Sequence, residues 1–242
     1  MRRVLFAAGL VLTLLSPAAA GARVVLDRPP GGWVVAPAPR PVHVIVRVQS
    51  GHVVALRSRP FGRVVAQVGA LTRFGSPRAL GVVGSSRGRW LAVTEADVAG
   101  NRVVWLDARA GGLRYSRTRL ELDVDLSART LTIRSDSAVL RRVSVGVGAF
   151  DSPTPIGRFA VTDKLAGGNF SAAYGCCILA LSAIQPHLPA GWRGGNRVAI
   201  HGTLSPSDFG RAVSAGCVHA QDIDLRYLMR VVPLGTPVVI RP

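Results

Sequence analysis

Short apolar runs, each ended by glycine, proline or a polar turn, recur along most of this chain. Residues 120–126 alternate strictly between apolar and acidic side chains, which is the two-residue period of a strand with one buried face. Residues 130–134 and 139–147 follow after tight turns. We therefore expect an antiparallel meander here, within a fold that is mainly β.

The N-terminal half contains six further runs rich in β-branched residues. Their regular spacing between glycine-containing turns predicts a small β-barrel, and Gly111 and Gly112 mark its expected end. We expect one domain over residues 42–112 and a second over residues 119–242. The six runs are residues 42–48, 53–56, 64–68, 80–83, 90–93 and 103–106.

The second domain is expected to end with a helix and a strand. Asp222 or Asp224 is a suitable first residue for the helix, and Pro233 stops it. Residues 236–240 then form the last strand. One apolar stripe at helical spacing predicts the face that packs on the core: Leu225, Leu228, Met229 and Val232.

The first 22 residues have the order of a secretory signal. Arg2 and Arg3 precede an apolar run at 4–15 and small residues at 16–22. We expect residues 1–22 to be a signal peptide, with Sec and Tat export both open, and residues 23–41 to be a Pro-rich linker. Because no later run approaches the ~18 apolar residues of a membrane span, we expect a secreted chain with no integral membrane segment after cleavage.

The formal net charge of +17 comes almost entirely from arginine, since Lys164 is the only lysine. These arginines are spread along the chain and alternate with apolar residues. A nucleic-acid-binding surface has clustered cations with interleaved aromatic residues, so we expect no nucleic-acid partner. For an exported protein, anionic cell-wall polymers are more natural partners.

Two segments near the C-terminus bring a histidine and a cysteine into one neighbourhood. His201 lies in Val-Ala-Ile-His-Gly-Thr (198–203), and Cys217 lies in Ser-Ala-Gly-Cys-Val-His (214–219). A thiol becomes a strong nucleophile when a base removes its proton. Gly216 allows a close backbone approach, so we expect the N–H groups of Gly216 and Cys217 to bind an oxyanion. This pattern predicts acyl transfer, with Cys217 as the nucleophile and His201 as the base.

The remaining cysteines, Cys176 and Cys177, are adjacent in the sequence. A bridge between neighbours is strained, so we expect both to be free thiols in the core or a pocket. The chain has no CxxC motif, and its five histidines are scattered. We therefore expect no metal site and no cofactor.

Residues 119–242 resemble the catalytic domain of the YkuD-type L,D-transpeptidases. The likeness rests on the two segments above and on residues 152–159, 174–177 and 235–240. The resemblance implies a β-sandwich-like domain with a few short helices, and a Cys217 thioester formed from a peptidoglycan tetrapeptide stem with release of the terminal D-Ala. A neighbouring stem amine would then complete a 3→3 cross-link. Residues 55–60, 88–93 and 104–106 resemble a bacterial SH3-like module.

Two positions depart from the family pattern. Ala215 replaces a histidine, and His219 replaces the arginine thought to hold the substrate carboxylate. That carboxylate then depends on His219 or another cation. Because His219 lies two residues after Cys217, it also competes with His201 as the base, although the family spacing favours His201. Thr203, Ser214 and Tyr174 complete the expected substrate-binding residues, with Thr203 or the backbone at Gly202 orienting the imidazole.

Three questions stay open from the sequence alone. Residues 163–195 form either a mobile cover over the cleft, as the resemblance implies, or an ordinary connection. The acyl acceptor is either a stem amine or water, and water would make the protein an L,D-carboxypeptidase. The changes at Ala215 and His219 also permit a wall-binding protein whose catalytic domain is degenerate.

Overall fold

Two large β-sheets account for most of the secondary structure in the computed structural model, which describes residues 42–98 and 101–242. The expected signal peptide and Pro-rich linker lie outside the described residues. The prediction of a mainly β fold is confirmed. None of the helices in the described residues is long and apolar enough to cross a membrane.

The N-terminal sheet has seven antiparallel strands in the order β3-β2-β6-β5-β4-β1-β7. All six predicted runs form strands. A seventh, β7, continues beyond Gly112 and pairs with β1 along its whole length. The SH3-like assignment stays a prediction. The strands are β1 His43–Val48, β2 Val53–Arg57, β3 Val64–Gly69, β4 Ala79–Ser86, β5 Trp90–Thr94, β6 Val103–Asp107 and β7 Leu113–Thr118.

The second sheet has eight strands in the order β10-β9-β8-β17-β12-β13-β14-β16, and β11 pairs separately with β15. The predicted meander is confirmed as β8, β9 and β10. Within the eight-stranded sheet two pairs are parallel, β17 with β8 and β14 with β16, and the separate pair of β11 and β15 is parallel too. The strands are β8 Leu120–Asp125, β9 Thr130–Ser135, β10 Ala138–Ser144, β11 Val147–Gly148, β12 Gly157–Ala166, β13 Cys177–Ile184, β14 Arg197–His201, β15 Ala212–Ser214, β16 Val218–His219 and β17 Pro237–Arg241.

One α-helix, α1 (Asp222–Val231), follows β16 in the described residues. Both candidate N-terminal acids lie in its first turn, where the backbone N–H groups favour negative charge. Leu225 and Leu228 are fully buried in the core of the second sheet. The helix and its apolar stripe were therefore predicted correctly.

The region 163–195 is not a continuous cover over the cleft. Its middle is β13, whose residues are almost all buried in the core of the second sheet. The expectation of one mobile segment is wrong, because the Ile-Leu-Ala-Leu run after Cys177 has the apolar character of a strand covered on both faces. The loops on either side of β13, residues 167–176 and 185–196, do border the cleft.

Polar contacts join the N-terminal sheet to the second sheet. The Thr94 and Ser182 hydroxyls lie 2.7 Å apart in a buried position. The Asn101 side chain donates to the Ile184 carbonyl (2.7 Å) and accepts from its N–H (2.6 Å). The Thr72 hydroxyl donates to Asp163, a carboxylate with no solvent exposure. The loop that contains Thr72 is thereby held against the second sheet.

Candidate active site

A cleft of about 900 Å³ opens along the edge of the second sheet where β14 and β16 lie side by side. Successive residues of a strand face opposite sides. Val198 and Ile200 on β14 face the core, whereas Arg197, Ala199 and His201 line the cleft. Any chemistry on this strand is therefore confined to one face.

Cys217 lies in the short loop between β15 and β16 and lines the cleft. Its residue is half-buried, and its Sγ lies 3.9 Å from the Arg197 carbonyl oxygen. Burial raises the pKa of the Cys217 thiol to about 11, although a contact with the Ala199 backbone N–H opposes that rise. The resting nucleophile is therefore a neutral thiol at pH 7.

Gly216 has φ +115°, a region that L side chains rarely adopt, and a Cβ there would collide with the Gln185 amide. Both constraints require glycine at this position. The Gly216 N–H donates to the Ser214 hydroxyl at 3.1 Å, and that hydroxyl donates to the Cys217 carbonyl at 2.6 Å. Ser214, the last residue of β15, therefore organises the backbone of the nucleophile loop, residues 215–217.

The expectation that Gly216 supplies an oxyanion donor is wrong in this conformation, because Ser214 already occupies its N–H. The N–H of Cys217 has no hydrogen-bond partner among the described residues. An oxyanion hole needs an N–H that is free and directed at the reacting atom. Cys217 itself keeps a free N–H donor among the described residues.

His201 ends β14 and is almost fully buried. Its Nδ1 lies 2.6 Å from the Gly202 carbonyl oxygen, so Nδ1–H donates and Nε2 is left to accept a proton. The ring packs edge-on against Tyr174, with the ring centres 4.7 Å apart. Burial, with a smaller contribution from His219, lowers the pKa of His201 to about 4. The imidazole is therefore neutral at pH 7 and able to act as a base.

His219 follows the nucleophile on β16 and pairs in register with His201. Its Nδ1 lies 2.8 Å from Asp208 Oδ2, and the Thr203 hydroxyl donates to the same oxygen at 2.7 Å. Burial acts to raise the pKa of Asp208, but the hydrogen bonds from Thr203 and His219 outweigh it and the pKa is lowered. Thr203 thus positions Asp208, and the Gly202 carbonyl orients His201.

Neither imidazole is hydrogen-bonded to Cys217 Sγ within the described residues. The sulfur lies beside the Ala199 backbone. His201 is two residues further along the same face of β14, so the Cα atoms of Ala199 and His201 are about 6.6 Å apart at the strand repeat. Proton transfer between them therefore requires an intervening water or a small movement of the sulfur.

Comparisons with known proteins show the family of this chain. The model of the YkuD family, the L,D-transpeptidase catalytic domain, matches residues 119–240. The chain belongs to the YkuD family. It is 32% identical over 119 residues to the putative L,D-transpeptidase YkuD of Bacillus subtilis and 29% identical over 126 residues to YqjB of the same organism. These matches cover 48% of this chain and 63% and 68% of the relatives, so the chain spans about 63% of the length of the YkuD relative.

The chain is also similar to solved structures of L,D-transpeptidases. An L,D-transpeptidase from Mycobacterium smegmatis is 18% identical, with a TM-score of 0.44, and the match covers 84% of this chain and all of that one. The LdtMt1 transpeptidase in complex with imipenem is also 18% identical, with a TM-score of 0.42, covering 78% of this chain and 99% of that one.

This YkuD domain brings together the residues singled out from its sequence. Six of the predicted site residues line the cleft: Cys217, His201, Thr203, Ser214, His219 and Tyr174. Gly216 lies in the loop that carries Cys217, where a Cβ would collide with Gln185. No group of three or more metal-ligating side chains occurs among the described residues.

Two residues of the site gave no recognisable signal in the sequence. Asp208 binds both Thr203 and His219 from a loop after β14. Gln185 is buried, and its amide donates to the Pro153 carbonyl at 2.9 Å and to the Ala215 carbonyl at 3.3 Å. It therefore connects the turn after β11 to the nucleophile loop. Motif spacing does not detect either contact, because both join segments that are distant or irregular in the chain.

The expectation of three free thiols is wrong. Cys176 and Cys177 form a disulfide, and only Cys217 is a free cysteine. Cys176 precedes β13 and its N–H donates to Asp222 at 3.0 Å, so the regular alternation that separates neighbouring side chains does not apply there. The bridge lies next to Gly175, which packs against Gly202 beside His201.

Proposed function

We propose that this protein is a cysteine acyltransferase of peptidoglycan. The thiol of Cys217 attacks the carbonyl between the diamino acid and the terminal D-Ala of a tetrapeptide stem, while His201 Nε2 takes the thiol proton. The Cys217 N–H stabilises the oxyanion. The C–N bond then breaks, His201 returns its proton to the departing amine, and D-Ala leaves a thioester on Cys217.

The second half of the reaction resolves the thioester. An amine of a neighbouring stem attacks the carbonyl, the C–S bond breaks, and the proton lost by the amine returns to the sulfur through His201. The product is a 3→3 cross-link. The Cys217 thiol has a pKa of about 11 and therefore forms little thiolate at pH 7. Removal of the thiol proton by His201 during the attack fits a resting site in which the thiol and the imidazole are both neutral.

The single observation that carries this proposal is the placement of the one free cysteine at a cleft beside a neutral, main-chain-anchored imidazole. Residues 1–22 support a secreted protein that works in the cell wall or periplasmic space. Within that setting, we assign a wall-associated role to the N-terminal module, in keeping with its SH3-like sequence.

Mass spectrometry with purified disaccharide-tetrapeptide tests the proposal. We expect release of D-Ala, a transient acyl adduct on Cys217, and a cross-linked dimer when a second stem is present. Cys176→Ala protein is the matched control for the loss of a different sulfur. Release of D-Ala without any dimer would replace the transferase with an L,D-carboxypeptidase. No adduct and no D-Ala from folded protein would favour the degenerate wall-binding protein.

A further inference from the structure

The N-terminal sheet contributes part of the cleft wall. The loop between β3 and β4, residues 70–78, reaches the second sheet, and its Arg73 and Phe74 line the same cleft as Cys217. The cleft is therefore built from both sheets, and a YkuD domain alone would lack this wall.

The loop has a fixed conformation. The Thr72 hydroxyl accepts from the N–H groups of Phe74 and Ser76, both at 3.2 Å, and donates to the buried Asp163. The guanidinium of Arg78 donates to the Leu71 carbonyl at 2.8 Å. Gly75 has φ +81°, which permits the reversal of the chain. Such a loop holds its exposed side chains in place before any ligand binds.

A continuous series of ring contacts connects this loop to the base. Phe74 packs edge-on against Phe170 at 6.1 Å, Phe170 against Tyr174 at 6.5 Å, and Tyr174 against His201 at 4.7 Å. The guanidinium of Arg73 lies 4.8 Å from the centre of the Phe74 ring. Arg73 is therefore placed at the outer end of an aromatic wall whose inner end is the catalytic histidine.

Some cationic side chains along the cleft are already paired with a carboxylate, and one is not. Arg197 is half-buried, with 9% of its side chain exposed, and its guanidinium lies 3.6 Å from Asp97 and 3.9 Å from Asp163. His219 is bound to Asp208. Arg73 is exposed and forms no ion pair or hydrogen bond with any of the described residues. Among the described residues that line the cleft, Asp151 is the only exposed carboxylate, and it is not paired with Arg73.

We infer that Arg73 binds a carboxylate of the peptide that occupies the cleft, so that the N-terminal module is part of the substrate-binding site. An arginine donates to a carboxylate through a planar, bidentate arrangement. Burial, and after it the like charge of the nearby Arg73, lower the pKa of Arg197, so an anion between or beside the two guanidinium groups relieves their repulsion. This inference rests on the proposed function for the identity of the peptide.

Binding to catalytically inert Cys217→Ala protein tests this role without turnover. We expect Arg73→Ala to raise the Kd for disaccharide-tetrapeptide about tenfold, the size of a lost charge-assisted hydrogen bond, and Arg73→Lys to recover part of that loss. Arg114→Ala is the matched control, because Arg114 is an exposed arginine on β7 that does not line the cleft. It should change the Kd less than about twofold.

Amidated peptides identify the group that is bound. A peptide in which every carboxylate is amidated should have the same Kd for the Arg73→Ala variant as for the protein that retains Arg73. Peptides amidated at a single carboxylate, either the terminal one or a side-chain one, should then show which carboxylate binds Arg73. In the active enzyme, Arg73→Ala should raise KM with little change in kcat, because Arg73 does not contact the reacting atoms.

The outcomes separate this inference from the proposed function. Equal Kd values for Arg73→Ala and Arg114→Ala would overturn the role of Arg73, even in an enzyme that releases D-Ala. Binding that depends on Arg73 in a protein that forms no adduct at Cys217 would overturn the acyltransferase proposal alone. No binding of the tetrapeptide by the Cys217→Ala protein would overturn both.

Discussion

Buried ionisable groups occur in both sheets, but in contrasting surroundings. In the N-terminal sheet, the Arg78 guanidinium lies 2.8 Å from the Glu95 carboxylate, and both side chains are almost fully buried. Arg78 also donates to the carbonyls of Gly69 and Leu71. In the cleft, the half-buried Cys217 and the buried His201 have no opposite charge beside them, and burial shifts the pKa of each so that the neutral form is favoured.

This contrast separates structural from chemical roles. A buried ion pair with all its hydrogen bonds made holds a specific arrangement, and breaking it leaves an uncompensated charge. A buried thiol and a buried imidazole that stay neutral lose little by being buried, and they are ready to exchange a proton when a carbonyl arrives. The largest expected effects therefore fall on the rate in the cleft and on stability in the N-terminal sheet.

Replacement of the nucleophile should produce the largest change. We expect Cys217→Ala to abolish turnover and to prevent the mass gain of one carbapenem that the wild-type thiol should show, because a strained lactam offers a carbonyl for the same attack. Cys176→Ala and Cys177→Ala should retain measurable activity. Intact-mass spectrometry and D-Ala release measure both effects. Continued D-Ala release by Cys217→Ala would exclude Cys217 as the nucleophile.

Removal of the base should be the next largest effect. We expect His201→Ala to slow acylation by roughly 10² to 10⁴, the usual contribution of a general base. His219→Ala should mainly weaken substrate binding, because its imidazole is held by Asp208. Single-turnover acylation rates separate the two. If His219→Ala slows acylation and His201→Ala does not, the two histidines have the opposite roles.

Arg78→Ala tests the structural half of the comparison. It leaves Glu95 buried and unpaired, so we expect the free energy of unfolding to fall by about 3–5 kcal/mol, measured by urea denaturation. Arg89→Ala is the matched control, because Arg89 pairs with Asp107 at the surface of the same sheet. It should have a much smaller effect. Similar losses in the two variants would contradict a special role for the buried pair.

Acid titration of stability should show the smallest of these effects. The pKa of His201 is lowered from 6.5 to about 4, so between these values the unfolded chain binds a proton that the folded chain does not. Stability from this group is present above pH 6.5 and is lost as the pH falls toward 4, by up to about 3 kcal/mol. Urea denaturation at pH 7 and pH 4.5 measures the difference between wild type and His201→Gln. An identical pH dependence in both proteins would show that His201 is not buried in its neutral form.

The period of the sequence was sufficient to predict most of the strands and the helix. Residues 120–126 alternate because β8 has one face in the core, and the stripe through Leu225 and Leu228 follows the turn of α1. Cys217 and His201 could also be identified from the sequence, because each lies in a short motif whose residues are neighbours in the chain. The extent of the N-terminal sheet was missed, because β7 has mostly exposed side chains and no apolar alternation. Strand β13 was also missed, because it is buried on both faces and its apolar run has no two-residue period.

Only the tertiary structure decided which residues complete the site. Thr72 reaches Asp163 across 91 residues of sequence, and Gln185 reaches Ala215 across 30. These contacts depend on the order of strands in the sheets and on how the two sheets pack, which no local period encodes. The free N–H of Cys217, the placement of Asp208 and the presence of Arg73 in the cleft follow from that packing. The secondary structure and the identity of the reactive residues are determined by short stretches of this sequence. The surroundings that set the pKa values of those residues and bind a ligand depend on contacts between distant parts of the chain.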